Sequence, residues 1–299
     1  MTQATSIPRW RAWILGSRPK TLPAAVAPVF VGSALAFAHD RFSFWPALAA
    51  LVAALLIQVG TNLANDYFDH AHGLDTSERI GPMRVAQSGL IPMSQLKAGI
   101  IFVFAITAAI GVYLIFVGGW VILAIGVASL IAAVAYSGGP YPLSSNGLGD
   151  LFAFIFFGLV AVFGTYYVQA LHYSPLALYV AIPIGALTTA ILIVNNYRDM
   201  ETDAKVGKRT LAVMIGPAAS RMEFICMLVL TYVTPLVLWL AGQLSVWVML
   251  SWLSIPLAVK LVRTLYRPIS GPTLNQALAG AAQLDLVFSV LFTIGLVLS

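Results

Sequence analysis

Charged residues are scarce in this 299-residue chain, at 9% of the sequence. Soluble domains carry about 25% charged residues, so the scarcity excludes an ordinary soluble globular protein. The chain has a single cysteine, Cys226, which excludes an internal disulfide. The first 20 residues lack a long apolar run, so we expect no signal peptide there. No polar stretch separates the apolar runs, and we therefore expect one integral membrane domain over residues 1–299.

Apolar residues make up 60% of the chain and occur in runs long enough to cross a bilayer. A spanning helix needs about 20 mostly apolar residues. Nine windows meet this requirement, at 21–38, 46–65, 96–117, 119–136, 150–171, 176–195, 222–241, 244–262 and 277–298. The predicted fold is all-α, with about nine transmembrane helices in one bundle.

The basic residues orient this bundle. With nine spans, 15 of the 16 Lys and Arg residues fall on one side of the membrane, and only Arg41 falls on the other. Lys and Arg are enriched in cytoplasmic segments. We therefore predict a cytoplasmic N-terminus and an external C-terminus, in a plasma or inner membrane. We expect the helices to be surrounded by membrane lipid, and we expect no nucleic-acid partner.

The acidic residues cluster. Seven of the 11 fall in two short segments, residues 62–84 and 195–209, which share the pattern N-x-Y-x-D at an offset of 130 residues. The offset covers four predicted spans, which indicates a parallel repeat, with a chance match as the alternative. If the helices continue through both segments, Asn62, Asn65 or Asp66, and Asp69 share one helical face, as do Asn195, Asp199 and Asp203. Both acidic segments would lie on the cytoplasmic side.

Carboxylates with amide neighbours favour Mg²⁺, which binds a few protein oxygens together with waters and phosphate oxygens. Basic residues flank both clusters, as a bound diphosphate would require. At the edge of an apolar bundle, the natural diphosphate is attached to a lipid. The alternative is a pair of solvated loops whose basic residues serve only topology. The four histidines lack the spacing of a zinc site.

NDYFDHAHGLD followed by IGPMR, and the later NNYRDMETDAKVGKRTL, resemble the two Asp-rich motifs of the UbiA superfamily of membrane prenyltransferases. Within it, residues 17–36, 141–150 and 274–288 are similar to the 1,4-dihydroxy-2-naphthoate polyprenyltransferase branch. Many superfamily members have the first motif N-D-x-x-D-x-x-x-D. Here Asp75 lies two residues further from Asp69, which leaves its place in the metal site open.

The resemblance implies Mg²⁺-dependent transfer of a polyprenyl group from polyprenyl diphosphate to 1,4-dihydroxy-2-naphthoate, with loss of CO₂ and diphosphate, giving a demethylmenaquinone. The implied catalytic residues, which also hold the metal, are Asp66, Asp69, Asp199 and Asp203, with Asp75 as a further metal ligand. The expected substrate-binding residues are Asn62, Asn65, Asn195, Asn196, Arg79, Arg84, Lys208, Arg209, Lys20 and Tyr136.

Several of these roles have structural alternatives. Arg18 and Lys20 could bind the acceptor carboxylate or serve topology alone, and Arg84 is a second candidate for the carboxylate. Tyr136 could face the allylic cation or anchor the chain at the interface. Asp150 could act in catalysis or favour a helix N-terminus. Gln283 and Asp285 could be functional or could hydrogen bond to a neighbouring helix.

Two other functions fit the pattern less fully. A sibling prenyltransferase would use hydroxybenzoate, homogentisate or haem as acceptor. A cation-coupled transporter would use the carboxylates as an ion site, but it predicts inverted repeats and acids near the bilayer midplane.

Overall fold

The computed structural model describes residues 7–74, 81, 83–267 and 271–299. Two predicted site residues, Asp75 and Arg79, lie outside these ranges. The described part of the chain is helical and contains no β-strand. Its main helices are α1 (Arg9–Ser17), α2 (Pro23–Ala38), α3 (Phe44–Ala71), α4 (Met93–Ala135), α5 (Gly149–Ala170), α6 (Pro175–Lys205), α7 (Leu211–Leu240), α8 (Val246–Leu265) and α9 (Gly271–Val297). The all-α prediction is confirmed.

Seven of the described helices, α3 to α9, are each long and apolar enough to cross a membrane. An eighth candidate span is the pair of α1 and α2, which meet at a bend of 52°. The described helices therefore provide seven or eight candidate spans, whereas the sequence predicts nine. One difference lies in α4, because the windows 96–117 and 119–136 both fall on this 43-residue element to within one residue. The other is the first window, 21–38, which covers α2 and counts as a candidate span only together with α1.

Gly119 interrupts α4. Its backbone angles, φ 66° and ψ −153°, are not helical, and the positive φ is one that glycine adopts without steric cost. A continuous helix of this length would extend about 65 Å, roughly twice the thickness of a bilayer core. The break at Gly119 lies at the predicted boundary between the windows 96–117 and 119–136.

Helix α6 forms the centre of the bundle. In its most apolar window 72% of residues are buried, against 11% in α4. Gly158 of α5 and Gly185 of α6 permit close packing, since a Cβ at Gly158 would lie 2.6 Å from the Cα of Gly185. Because so little of its apolar window is buried, α4 presents most of its apolar surface outward, as a lipid-facing helix does.

The two acidic segments begin near the C-terminal ends of α3 and α6. Helix α3 continues to Ala71 and α6 to Lys205, well beyond their most apolar parts. This confirms that Asn62 to Asp69, and Asn195 to Asp203, are helical. The polar side chains of the first set are nevertheless buried within the bundle: Asn62, Asn65, Asp66 and Asp69.

Candidate active site at one end of the bundle

The polar face of α3 is held from two sides. The Asn62 amide donates to the Ser17 carbonyl at 2.9 Å and to the Thr21 hydroxyl at 3.0 Å. The Asn65 amide donates to the Ser137 hydroxyl at 2.8 Å. These bonds fix α3 against the junction of α1 with α2, and against the segment that follows α4.

Arg84 joins the two carboxylates of α3. This residue is only 3% exposed, and its guanidinium donates to Asp66 at 2.6 Å and to Asp69 at 2.9 Å. It also donates to the Asn65 side-chain carbonyl. Asp66 accepts further bonds from Arg18 and from the Val85 backbone amide. Because a buried carboxylate needs compensation, these donors explain how two acids are accommodated inside the bundle.

Arg18 reaches Asp66 from an unusual backbone conformation. Its φ of 50° is in the left-handed region, which is uncommon for a residue other than glycine. This conformation ends α1 and precedes the turn into α2. Arg18, rather than the exposed Lys20 two residues later, therefore contacts the acidic face of α3.

The second acidic segment has its own clamp. Arg198 donates to both oxygens of the adjacent Asp199, at 2.8 and 2.6 Å. It also donates to Asn195 at 2.9 Å and to Asn275 of α9 at 3.0 Å. In the sequence, Arg198 counts only as one of the 15 basic residues that orient the bundle. Its pairing with Asp199 was not predicted. No spacing of residues in the sequence indicates a bidentate ion pair of this kind.

The two acidic segments meet in space. The Lys208 ammonium lies 3.6 Å from the Asp69 carboxylate, which joins the second segment directly to the first. The Lys208 amide donates to the Asp203 carbonyl, and the Arg209 amide to the Ser145 carbonyl. The site therefore lies between α3, α6 and the segment that links α4 to α5.

Tyr136 lies in that linking segment, one residue after α4. Burial raises the pKa of the Tyr136 phenol above its ordinary value, and the nearby Asp150 and Asp69 carboxylates raise it further. Because the phenol stays protonated at neutral pH, it can donate a hydrogen bond in the site. Asn196, on α6, interacts with Asp150 through its side chain.

The remaining predicted residues are more open. Asp203 and Lys208 are half-buried, and Arg209 is exposed at the mouth of the site. These positions suit contact with a ligand that arrives from outside the bundle. Asn195, also half-buried, is engaged by Arg198.

The donor set suits a magnesium ion shared with a phosphate. In the described part of the chain, no three acidic, histidine or cysteine side chains form a closed metal cage. However, Oδ1 of Asp69 is buried with no hydrogen-bond partner among the described residues. Mg²⁺ characteristically takes one or two carboxylates and completes its shell with waters and phosphate oxygens. Asp69 offers such an oxygen beside Asp66, so the residues fit the ion.

The fold and site together define a multi-pass helical membrane protein with a cluster of charged and amide side chains at one end of its bundle. The UbiA prenyltransferase family matches residues 25–295. The chain belongs to the UbiA prenyltransferase family and is a membrane prenyltransferase.

Curated relatives agree with this assignment. The chain is similar to 1,4-dihydroxy-2-naphthoate octaprenyltransferase of Escherichia coli, with 36% identity over 98% of this chain and 97% of the relative. It is 37% identical to the enzyme of the same name from Mycobacterium leprae, over 93% of each chain. UbiA prenyltransferase domain-containing protein 1 of Homo sapiens is 30% identical, over 97% of this chain and 86% of the human protein.

Solved structures show the same fold at low sequence identity. A UbiA homolog from Archaeoglobus fulgidus bound to DMAPP and Mg²⁺ aligns with a TM-score of 0.66 and 14% identity, over 94% of this chain and 99% of that chain. The apo structure of a UbiA homolog from Aeropyrum pernix aligns with a TM-score of 0.69 and 14% identity, over 90% and 96% of the two chains.

Proposed function

We propose that this enzyme transfers a polyprenyl group from polyprenyl diphosphate to 1,4-dihydroxy-2-naphthoate, with loss of CO₂ and diphosphate, giving a demethylmenaquinone in its reduced, quinol form. The observation that carries the proposal is the contact of Lys208 with Asp69, because it joins two acidic segments 130 residues apart into one site at the end of an apolar bundle. Five bacterial relatives, 31–38% identical, bear the name of a naphthoate octaprenyltransferase.

The donor diphosphate would bind where the two segments meet. Lys208 and Arg209 would donate to its phosphate oxygens, and Arg18 and Arg84 would share donors with it. Mg²⁺, taking one or two carboxylates at a time from the set Asp66, Asp69, Asp199 and Asp203, would when bound neutralise charge on the leaving diphosphate. The neutral Tyr136 phenol adds a hydrogen-bond donor.

The polyprenyl chain needs an apolar environment, which the adjoining helices supply. Separation of the diphosphate generates an allylic cation that water would capture, so the site must exclude water until the acceptor ring attacks. The aromatic face of Tyr136 is a candidate to stabilise that cation.

The acceptor is tested by supplying the purified protein with a fixed polyprenyl diphosphate, Mg²⁺ and one aromatic compound at a time. We expect prenylated product from 1,4-dihydroxy-2-naphthoate, detected by mass spectrometry, at least about 10²-fold faster than from 4-hydroxybenzoate or homogentisate. Hydrogen-bonded recognition of the acceptor would produce this preference. Efficient transfer to another acceptor, with none to dihydroxynaphthoate, would refute the naphthoate assignment and retain the prenyltransferase.

We propose nine spans in a plasma or inner membrane, with α2 as the first and the break at Gly119 dividing α4 into two, so that Arg18 and Lys20 precede the first span. The site then faces the cytoplasm. The test uses a Cys226→Ser background with one new cysteine, at exposed Phe42 or exposed Ala204. A membrane-impermeant maleimide should label Phe42→Cys in intact cells and label Ala204→Cys only after permeabilisation. The reverse pattern would overturn the orientation, and labelling of both in intact cells would overturn the span count.

A further inference from the structure

Asp150 is a buried acid that the steps above do not use. It lies in the first turn of α5 and is 4% exposed. Its carboxyl interacts with Asn196 of α6, and its electrostatic neighbours are Tyr136 after α4 and Glu223 of α7. Three other elements thus converge on this one carboxyl.

Asp150 lies in the first turn of α5, where the helix dipole favours an acid, and its carboxyl also accepts a hydrogen bond from its own backbone amide. The N-cap position of α5 is Leu148, and no side chain caps the helix. Among the described residues, Asp150 is not a member of any ion pair found. An acid that is buried beside hydrogen-bonding groups, without a cation, is able to accept a proton.

Asp150 is also close to the donor site. The Tyr136 hydroxyl interacts electrostatically with both Asp150 and Asp69. It lies 3.4 Å from the position that a Cβ at Gly149, the residue before Asp150, would occupy. The Tyr136 hydroxyl is therefore near both Asp150 and the Asp69 carboxylate of α3. An acceptor held by Asp150 would lie next to the reacting end of the prenyl donor.

We propose that Asp150 binds the aromatic acceptor by accepting a hydrogen bond, and then the proton, from a ring hydroxyl. The inference rests on the proposed function, and it assigns the acceptor side of the site to the segment between Tyr136 and Asp150. The ligand class is a phenol or naphthol. Asn196 and Tyr136 orient the carboxyl, and the nearby Glu223 is the other acid that faces it.

The proposed step conserves atoms and charge. The ring O–H bond breaks and its proton moves to Asp150, while the oxygen's electron density activates the ring carbon that bears the carboxylate. The allylic C–O bond breaks, and its electron pair leaves with diphosphate. The activated ring carbon then forms a bond to the allylic cation with an electron pair of the ring. CO₂ then departs, its bonding pair restores the aromatic ring, and Asp150 returns the proton to the ring oxygen.

The test is Asp150→Asn, which keeps the shape of the side chain and removes its capacity to accept a proton. We expect transfer to dihydroxynaphthoate to fall at least about 10²-fold, the size typical of a lost general base. The Mg²⁺-dependent Kd for a non-reactive prenyl diphosphate analogue should change less than about twofold. Wild type should lose activity as pH falls, and the variant should lack that dependence, whereas Asp150→Glu should recover part of the rate.

Asp40→Asn is the matched control, because it makes the same change at an exposed acid that follows the C-terminal end of α2. It should transfer at the wild-type rate. A transfer rate for Asp150→Asn within about threefold of wild type would overturn the proposal. Loss of donor binding in this variant would also overturn it, because that result would assign Asp150 to the donor side or to folding. Wild type that transfers to no aromatic acceptor would refute the proposed function, and this inference with it.

Discussion

Asp69→Asn is expected to reduce Mg²⁺-dependent prenyl transfer by about 10²- to 10³-fold, the effect of removing one preorganised electrostatic group from an active site. Oδ1 of Asp69 is the buried oxygen with no hydrogen-bond partner among the described residues, and Oδ2 contacts Arg84 and Lys208. Asparagine keeps the shape and removes the charge. Because Arg84 retains its bond to Asp66, the fold should survive, and steady-state kinetics on purified protein will measure the loss.

The matched control for this substitution is Glu201→Gln. Glu201 belongs to the second acidic segment and is exposed, so the substitution removes the same charge near the site without changing the buried groups. Its transfer rate should stay within about twofold of wild type, since exposed charges are strongly screened. Equal losses in both variants would indicate a general effect of net charge and would contradict a specific role for Asp69.

Arg84→Ala is expected to lower the free energy of unfolding by about 3–5 kcal/mol, the cost of breaking a buried ion pair from one side. The substitution leaves the Asp66 and Asp69 carboxylates, each 1% exposed, without the guanidinium that bridges them. Arg84→Lys should be intermediate, because an ammonium keeps the charge and loses the fork that reaches two acids. Reversible unfolding in detergent micelles measures these differences.

The corresponding surface control is Lys97→Ala. Lys97 is exposed near the start of α4, and its loss should change the unfolding free energy by less than about 0.5 kcal/mol. A loss below about 1 kcal/mol for Arg84→Ala would show that Arg84 is not essential to the fold. The role of Arg84 would then be substrate binding and not stabilisation of the fold.

Much of the helical architecture was predictable from the sequence, because long apolar runs and helical spacing act locally. The shared face of Asn62, Asn65 and Asp69 was predicted on the condition that α3 continues beyond its apolar part, and α3 does continue, to Ala71. The break in α4 was visible as two windows, since glycine at position 119 permits a backbone that other residues avoid. Hydropathy alone does not settle whether such a break separates two spans.

The pairing of charges inside the site was not predictable, because it depends on side-chain direction and on contacts between distant segments. Arg198 was expected to serve topology, yet it clamps its own neighbour, Asp199. Arg84 was expected to meet substrate, and the structure places it between Asp66 and Asp69. The convergence of residues from α4, α5 and α6 around the site likewise depends on tertiary packing.

The central claim is that the two acidic segments form one site for Mg²⁺ and a diphosphate. Its most direct test is equilibrium binding of a non-reactive prenyl diphosphate analogue to the purified protein, in Mg²⁺ and in EDTA. We predict that EDTA weakens the Kd at least about tenfold, and that Asp69→Asn and Asp203→Asn each weaken it in Mg²⁺ by about 10- to 100-fold. Equal binding in Mg²⁺ and EDTA, or full affinity when either segment is altered, would contradict the claim.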